Sequence, residues 1–239
     1  MMKILLLSDI HGNYPALEAI GRRHRLTEFA HICNSGDSTV YCPFPNETLD
    51  WLRRHRVHSI RGNTDDKVIR LLKGKSFKKP AKADKRIMYT TTAEVLTALN
   101  QNYLLQLKKR YRLDLGQHRL GLFHGSPASH QEFLFAHTPE ERFAELAADS
   151  SRSIIVTGHS HSPYHKLIGG VHFINPGAAG RMFDGNPEAA YAILTIRGSE
   201  VEVVHHRCPY EIEAVVRRIR RLGLPEIYSE MFRRGQKLN

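Results

Sequence analysis

One pattern recurs along the chain and limits the folds it can adopt. Five times, a short apolar segment of the kind that forms buried strands ends in a glycine-containing loop bearing Asp, Asn or His. These segments are residues 3–7, 29–33, 57–60, 119–123 and 153–157. Ligands of α/β proteins gather outside the carboxyl ends of strands. We therefore expect the five loops to converge on one site.

The stretches between these loops predict helices and hairpins. Helices are expected from Pro15, after an N-cap at Asn46, after a capping box at 91–94, over 139–148 and over 210–222. Two hairpins are expected, one turned at Gly116-Gln117 and one at Arg197-Gly198. Strands alternating with helices predict the α/β class.

Seven polar side chains of the loops form the candidate site. They are Asp9, His11, Asp37, Asn63, His124, His159 and His161. Residues i and i+2 of a strand point to the same side, so we expect Asp9 and His11 to face one direction. The two histidines of residues 159–161 are expected to do the same. Carboxylate, carboxamide and imidazole donors without thiolates suit Mn, Fe, Co, Ni or Zn.

Seven ligands are too many for one ion but suit two ions if one carboxylate bridges them. Metal ions about 3.5–4 Å apart clamp the attacking and leaving oxygens of a phosphoryl transfer. Two divalent ions supply four positive charges, and Asp9, Asp37 and a bridging hydroxide would remove three of them. The neutral ligand Asn63 preserves the remaining positive charge, which should attract a phosphate. The set therefore predicts a phosphoesterase.

The ordered motifs resemble the calcineurin-like metallophosphoesterase family, especially its small bacterial and archaeal phosphodiesterase-like branch. The motifs are Ser8-Asp-Ile-His-Gly-Asn13, Gly36-Asp37, Arg61-Gly-Asn-Thr-Asp65, Phe123-His-Gly125, Gly158-His-Ser-His161 and Asn175-Pro-Gly177. The resemblance implies a four-layer αββα sandwich of two mixed β-sheets flanked by helices. It also implies hydrolysis by a metal-bridging hydroxide, without a covalent phosphoenzyme.

The resemblance further implies a role for each residue of the candidate site. Asp9, His11 and His161 would bind one divalent metal ion. Asn63, His124 and His159 would bind the second, and Asp37 would bridge the two. Asp37, Asn63 and His124 are accordingly the expected catalytic residues, and manganese is the favoured metal.

One position departs from the family pattern. Many phosphatases of this family carry His directly after the asparagine of the Gly-Asn motif, where it protonates the leaving group, but this chain has Thr64. A threonine hydroxyl is a poor general acid, since its pKa is far from working pH. Either another histidine, such as His130, takes this role, or substrates with good leaving groups are favoured, or turnover is slow. Asp65 and Asp66 are expected to be structural.

The formal charge of +11 is concentrated in one stretch, residues 73–86, called the basic segment below. It holds seven basic residues against Asp84 alone: Lys73, Lys75, Lys78, Lys79, Lys82, Lys85 and Arg86. Such a run either binds a polyanion such as nucleic acid or forms a solvated loop. We expect a single domain over 1–239, with a basic, cap-like insert around 66–110.

Three classes of function remain open at this stage. The favoured one is hydrolysis of phosphodiesters or phosphomonoesters, with nucleotide-like substrates. The alternatives are a non-catalytic interaction scaffold on the same fold, as in the retromer subunit, and a nucleic-acid-binding or nucleolytic protein. The three cysteines form no metal or disulfide pattern, and the apolar run 4–7 is too short for a signal peptide or membrane span. A cytoplasmic location is therefore expected.

Overall fold

The computed structural model describes residues 1–239, which form ten strands and eight α-helices. The strands are β1 (Met2–Leu7), β2 (His31–Asn34), β3 (His58–Ser59), β4 (Arg110–Leu115), β5 (His118–Phe123), β6 (Ile154–Val156), β7 (Tyr164–Ile168), β8 (Val171–Asn175), β9 (Ala189–Arg197) and β10 (Glu200–Cys208). The helices are α1 (Tyr14–Arg23), α2 (Pro45–Arg54), α3 (Asn63–Leu72), α4 (Ala83–Val95), α5 (Ala98–Gln106), α6 (Glu140–Ala148), α7 (Ile212–Arg221) and α8 (Ile227–Arg234). A short 3₁₀ helix covers Leu26–Glu28.

The strands form two mixed sheets of five strands each. The first sheet has the order β10-β9-β1-β2-β3, in which β1, β2 and β3 are parallel. The second has the order β4-β5-β6-β8-β7, in which β5, β6 and β8 are parallel. The parallel strands of each sheet end at the same edge, as the sequence pattern requires.

The two sheets pack against each other through alternate side chains of their strands. In β1, Ile4 and Leu6 join a cluster that also contains Leu120 and Ile154 of the second sheet. The neighbouring residues of β1, Leu5 and Leu7, belong to the largest cluster, which packs the other face of the first sheet against helices.

The opposite face of the second sheet is covered by α6. Phe143 of this helix lies in a cluster with Ile155 and Phe173 of β6 and β8. The layers are therefore helix, sheet, sheet and helix. The predicted αββα sandwich is confirmed, and both faces of each sheet are buried, which explains the unbroken apolar run of β1.

The segment 66–110 contributes helices to the first helical layer. Met88 and Tyr89 of α4 and Leu104 of α5 belong to the same hydrophobic cluster as β1. The basic segment includes the start of α4, which begins at Ala83. The division of the chain into one domain with a cap-like insert stays a prediction.

Two expected helix starts are wrong. The helix α2 begins at Pro45, and the side chain of Asn46 accepts from Thr97 N at 3.0 Å and donates to Val95 O at 2.7 Å, so it ties α2 to the α4–α5 link. The 91–94 motif is no capping box, because it lies in the last turns of α4. The actual N-cap of α5 is Thr97, whose hydroxyl accepts from Asn100 N.

Three further elements, α3, β7 and α8, were not predicted from the sequence, and the one helix expected after residue 91 is replaced by two, α4 and α5. The strand β7 lies at the edge of the second sheet and is half exposed, and α8 is a short amphipathic helix against α7.

No helix of the protein has the length and apolar character needed to cross a membrane. All three cysteines are buried and free of disulfides, as expected for small apolar residues. The cytoplasmic location stays a prediction.

Candidate metal centre

The loops that follow β1, β2, β5 and β6 meet at one edge of the sandwich. The loop after β1 is bonded to the loop after β2, because Asp9 N donates to Gly36 O at 3.0 Å and His11 N donates to Asp37 O at 2.8 Å. In the second sheet, the loops after β5 and β6 are bonded to each other, since Gly158 N donates to His124 O at 2.9 Å. The chain thus brings the predicted site residues together.

Asp9, His11 and His161 form a first donor group, whose ligand atoms lie within 4.8 Å of one another. All three side chains are buried. The Nε2 atoms of His11 and His161 are 3.2 Å apart, and Asp9 Oδ1 lies 3.3 Å from His161 Nε2. Asp9 Oδ1 has no hydrogen-bond donor at all. A buried carboxylate oxygen without a hydrogen-bond partner is costly, so this atom is suited to bind a cation.

Asp37, His124 and His159 form a second donor group with the same spread, within 4.8 Å. Asp37 Oδ2 lies 3.5 Å from His124 Nε2 and 3.9 Å from His11 Nε2, so it faces both groups. The second carboxylate oxygen, Oδ1, accepts from Thr64 N at 2.8 Å. This bond fixes the carboxylate with Oδ2 towards the two groups, the position that a bridging ligand requires.

Five of the seven predicted site residues have left-handed backbone. Their φ angles are 50° at Asp9, 54° at His11, 53° at Asp37, 66° at His159 and 56° at His161. These residues lie in tight loops, so the expectation that strand alternation aims their side chains is wrong. His159 and His161 belong to different donor groups, whereas Asp9 and His11 share one. Left-handed backbone at residues other than glycine is strained and is typical of functional sites.

Close backbone approach explains one glycine beside the site. A Cβ at Gly62 would lie 2.0 Å from Asp37 Oδ1. Gly62 is also the N-cap of α3, so Asn63 is the first helical residue and not, as expected, part of a loop. The glycine therefore allows the start of α3 to reach the Asp37 carboxylate.

Backbone carbonyls fix the tautomers of three histidines. His11 Nδ1 is 3.3 Å from Thr39 O, His124 Nδ1 is 2.9 Å from Ser35 O, and His161 Nδ1 contacts Arg181 O. A carbonyl oxygen only accepts, so each Nδ1 carries the proton. Each Nε2 therefore faces the site and presents a lone pair whenever its ring is neutral, as in metal-binding histidines.

The pKa values follow from burial and from the two carboxylates. Burial lowers the pKa of His11 to about 3 and that of His159 to about 4, which keeps both imidazoles neutral. Burial opposes protonation of His124 as well, but the charge of Asp37 raises its pKa to about 9. Burial would raise the pKa of Asp9, yet the two nearby histidines, His161 and His124, lower it to about 2.

Asn63 lies beside the second donor group. Its outer amide atom is 2.9 Å from His124 Nε2, 3.3 Å from Asp37 Oδ2 and 3.0 Å from His159 Nδ1. The atom at this position is Oδ1, the orientation that ligation of a metal needs. In the opposite orientation the NH₂ would donate to those three atoms and the oxygen would accept from Lys67 Nζ at 3.2 Å.

The donor set fits two divalent cations. Each group offers one carboxylate and two imidazoles, Asp37 Oδ2 faces both groups, and Asp9 Oδ1 lacks a partner. Imidazole and carboxylate donors without thiolate suit first-row metals. The assignment of the seven residues as ligands remains a proposal.

Thr64 and its two following carboxylates, Asp65 and Asp66, contact groups of the protein itself. The Thr64 hydroxyl is 3.4 Å from Thr39 O, to which it donates. Asp65 accepts from Gly62 N, Ser38 N and the backbone and hydroxyl of Thr39, which fits the structural role expected for it. Asp66 Oδ2 lies 3.4 Å from His130 Nε2. The ring of His130 packs beside that of His124 but does not line the cleft over the donor groups.

A cleft of about 370 Å³ opens over the two donor groups. Its walls carry aromatic rings: Phe133 stacks on His159 with ring centroids 3.9 Å apart, and Phe183 stacks on His161 at 4.4 Å. Three cations, Lys85, Arg181 and Lys237, also line it. Of the basic segment only Lys85 reaches the cleft, so binding of nucleic acid by that segment stays a prediction.

Sequence reasoning missed four of these lining residues: Phe133, Arg181, Phe183 and Lys237. Arg181 and Phe183 follow the Asn175-Pro-Gly177 motif by a few residues, which is the one signal that could have drawn attention to them. The loop that carries them is held against the loop after β1, since Asn13 Nδ2 donates to Gly180 O at 2.8 Å.

Comparisons with known proteins agree with this geometry. Residues 2–199 match the model of the calcineurin-like phosphoesterase superfamily domain. Phosphodiesterase YfcE of Escherichia coli K12 is 27% identical over 204 residues, which cover 81% of this chain and 88% of that protein.

Solved structures share the fold. A metallophosphoesterase from Sphaerobacter thermophilus superposes with a TM-score of 0.79 at 27% identity, covering 98% of this chain and 99% of its own. A hypothetical protein from Pyrococcus horikoshii OT3 has a TM-score of 0.87 at 18% identity, with 99% and 100% coverage, and shows likeness of fold alone.

Proposed function

The chain belongs to the calcineurin-like phosphoesterase superfamily, and we propose that it is a dinuclear metal-dependent phosphoesterase. Its substrates are phosphodiesters or phosphomonoesters, with nucleotide-like compounds favoured. The observation that carries the proposal is the pair of buried donor groups that share Asp37 Oδ2. Manganese is the metal that we favour among those that imidazole and oxygen donors suit, which also include Fe, Co, Ni and Zn.

Two divalent cations bound to these groups would activate water and neutralise the charge of the phosphate. The chain's own residues prepare the site for them. Thr64 N holds Asp37 Oδ1, so that Oδ2 faces both groups. Carbonyl oxygens hold the Nδ1 protons of His11 and His124, which leaves both Nε2 atoms free to ligate. The geometry is thus set before a ligand arrives.

The absence of an acid beside Asp37 limits the substrates. The Thr64 hydroxyl donates to Thr39 O at 3.4 Å, and its pKa is far too high for proton transfer to a leaving group. His130 Nε2 lies 3.4 Å from Asp66 Oδ2, and His130 does not line the cleft. We therefore propose that the enzyme acts best on esters whose leaving group needs no protonation.

The aromatic walls support nucleotide-like substrates. Phe133 is 54% exposed although it stacks on His159, so one face of its ring is open to the cleft. Stacking of a base on an aromatic side chain contributes about 1–3 kcal/mol. The cleft of about 370 Å³ is at the lower end of the range for small-molecule sites and suits a mononucleotide.

Hydrolysis of bis-p-nitrophenyl phosphate tests this proposal. Protein stripped with EDTA should be inactive and should regain activity on addition of Mn²⁺. Asp37→Asn keeps the shape of the side chain and an acceptor for Thr64 N. It removes the negative charge that faces both donor groups. It should lower kcat by at least about 10²-fold, the scale of losing a key electrostatic group.

The matched control is Asp50→Asn. This carboxylate on α2 is 45% exposed and pairs only with Arg53 and Asn100, so activity should be unchanged. Activity that survives in Asp37→Asn would come from a contaminant or from another site. Lack of activity in the wild-type protein with Mn²⁺, Zn²⁺, Co²⁺ and Ni²⁺ would contradict the proposed function.

A further inference from the structure

Three cationic side chains in the cleft lack an acidic partner. Lys85 comes from α4, Arg181 from the loop after β8, and Lys237 from the segment after α8. None of them takes part in any ion pair of the protein. We call these residues the cationic cluster. Three separate parts of the chain bring positive charge to one place, and the one carboxylate that lines the same cleft, Asp37, belongs to the second donor group.

Arg181 is the buried member of the cluster. Its guanidinium lies over the ring of Tyr41 at 4.0 Å, with Phe183 at 5.0 Å and Tyr228 at 5.6 Å. Its Nη2 contacts Met231 Sδ at 3.4 Å, a weak acceptor, and its Nε has no partner. Cation–π contacts orient the group but offer no anion. A buried guanidinium with an unused donor is costly unless a ligand supplies the acceptor.

The two lysines lie at the more exposed side of the same space. Lys237 Nζ is 6.0 Å from the centroid of Phe183, the ring that Arg181 also contacts. Burial lowers the pKa of Lys85, and the charges of Lys237 and Arg181 lower it further. The three cations are thus close enough to repel one another. Their repulsion would be relieved by an anion bound among them.

On the basis of the proposed function, we propose that the cationic cluster is a subsite for a second phosphate group of the substrate. A phosphodiester carries one negative charge, and two cations on the donor groups already balance it. Three more positive charges exceed what the scissile phosphate can neutralise. A phosphomonoester group with nearly two negative charges and several acceptor oxygens fits Arg and Lys donors well. The substrate would then carry two phosphates, one at the donor groups and one on the cluster.

Two esters with the same scissile bond test this subsite. Thymidine 5′-(p-nitrophenyl phosphate) has one phosphate, and its 3′-phosphorylated form has two. The Mn²⁺-loaded wild-type protein should show a kcat/KM about tenfold higher for the second ester, the factor that ~1.4 kcal/mol of binding gives. The Lys85→Ala/Lys237→Ala variant should lose this preference, because its kcat/KM should fall about tenfold more on the second ester than on the first. Lys108→Ala, an exposed lysine elsewhere, should retain the preference.

Replacement of Arg181 would disturb the packing of Tyr41 and Tyr228, so the two less buried lysines carry the test. Equal kcat/KM for both esters in the wild-type protein would overturn the subsite. An equal loss on both esters in the double variant would overturn it too, since the lysines would then bind the scissile phosphate.

If neither ester is hydrolysed, the proposed function fails, and binding measured by calorimetry still decides the subsite. Thymidine 3′,5′-bisphosphate should then bind about tenfold more tightly than thymidine 5′-monophosphate. Equal affinities would exclude a second phosphate site.

Discussion

The imidazole rings of His11 and His161 face each other through their Nε2 atoms, which lie 3.2 Å apart. Both Nδ1 atoms donate to backbone carbonyls, so each of the two facing Nε2 atoms carries a lone pair. Asp9 Oδ1, 3.3 Å from His161 Nε2, adds a third acceptor. Three acceptors in a buried space repel one another unless a proton or a cation lies between them. The electrostatics of the first donor group therefore favour the binding of a cation.

The first prediction concerns metal content. EDTA-stripped protein should take up two Mn²⁺ per chain, and its unfolding midpoint should rise, because an ion that binds only the folded state adds about 2.7 kcal/mol at 100 times its Kd. His161→Ala removes a ligand of the first donor group and should retain one ion. The readouts are elemental analysis after desalting and scanning calorimetry. His165→Ala, an exposed histidine on β7, should retain two ions. Two ions in His161→Ala would contradict the assignment.

The second prediction concerns Phe133, which stacks on His159 with ring centroids 3.9 Å apart. Phe133→Ala leaves that imidazole free to rotate, so the affinity for the second metal ion should fall about tenfold, the lower end of such supporting effects. Titration calorimetry with Mn²⁺ measures it. Phe135→Ala is the matched control, because Phe135 lines the same cleft and stacks on His137 and, at 6.1 Å, on Phe133, but on no imidazole of the donor groups. An unchanged affinity in Phe133→Ala would show that the ring serves the substrate alone.

The third prediction concerns Asp65, which is fully buried and accepts from three backbone N–H groups and one hydroxyl. Asp65→Ala would leave the N–H groups of Gly62, Ser38 and Thr39 without acceptors. Each such loss costs about 1–3 kcal/mol, so the free energy of unfolding should fall by at least ~3 kcal/mol. Urea denaturation measures it.

The neighbouring residue provides the control for Asp65. Asp66 is 27% exposed and pairs with Arg61, Lys109 and His130 at the surface. Its replacement by Ala should cost no more than about 1 kcal/mol, as for other exposed ion pairs. A loss in Asp65→Ala as small as that in Asp66→Ala would mean that other groups replace its carboxylate.

The convergence of the site could be predicted because it follows from topology. Parallel strands end at one edge, so loops after β1, β2, β5 and β6 must approach one another, whatever their detailed shape. The identities of Asp9, Asp37 and His124 then indicated the chemistry. The two hairpins could be predicted for a different reason, because their turn residues are local signals.

The directions of the site's side chains could not be predicted in this way. Strand alternation fails at His159 and His161 because both have left-handed backbone, a state set by contacts between loops distant in sequence. The start of α5 was misplaced for a related reason: Thr92 donates to Met88 O within α4, and only the packed helix reveals this. Arg181 was missed because its environment of aromatic rings comes from segments far apart in the chain.

The last prediction concerns Thr64, which lines the cleft next to Asp37. Thr64→His would place a titratable group where this chain has only a hydroxyl, and general acid catalysis contributes about 10²–10⁴-fold. Hydrolysis of uridine 2′,3′-cyclic phosphate, whose leaving alkoxide needs a proton, should rise by about 10²-fold. Hydrolysis of bis-p-nitrophenyl phosphate should change little, since p-nitrophenolate leaves without a proton. Thr64→Gln, which has no titratable group, should accelerate neither reaction. A folded Thr64→His protein with both metal ions and an unchanged rate on the cyclic ester would show that the acid comes from elsewhere or that proton transfer does not limit turnover.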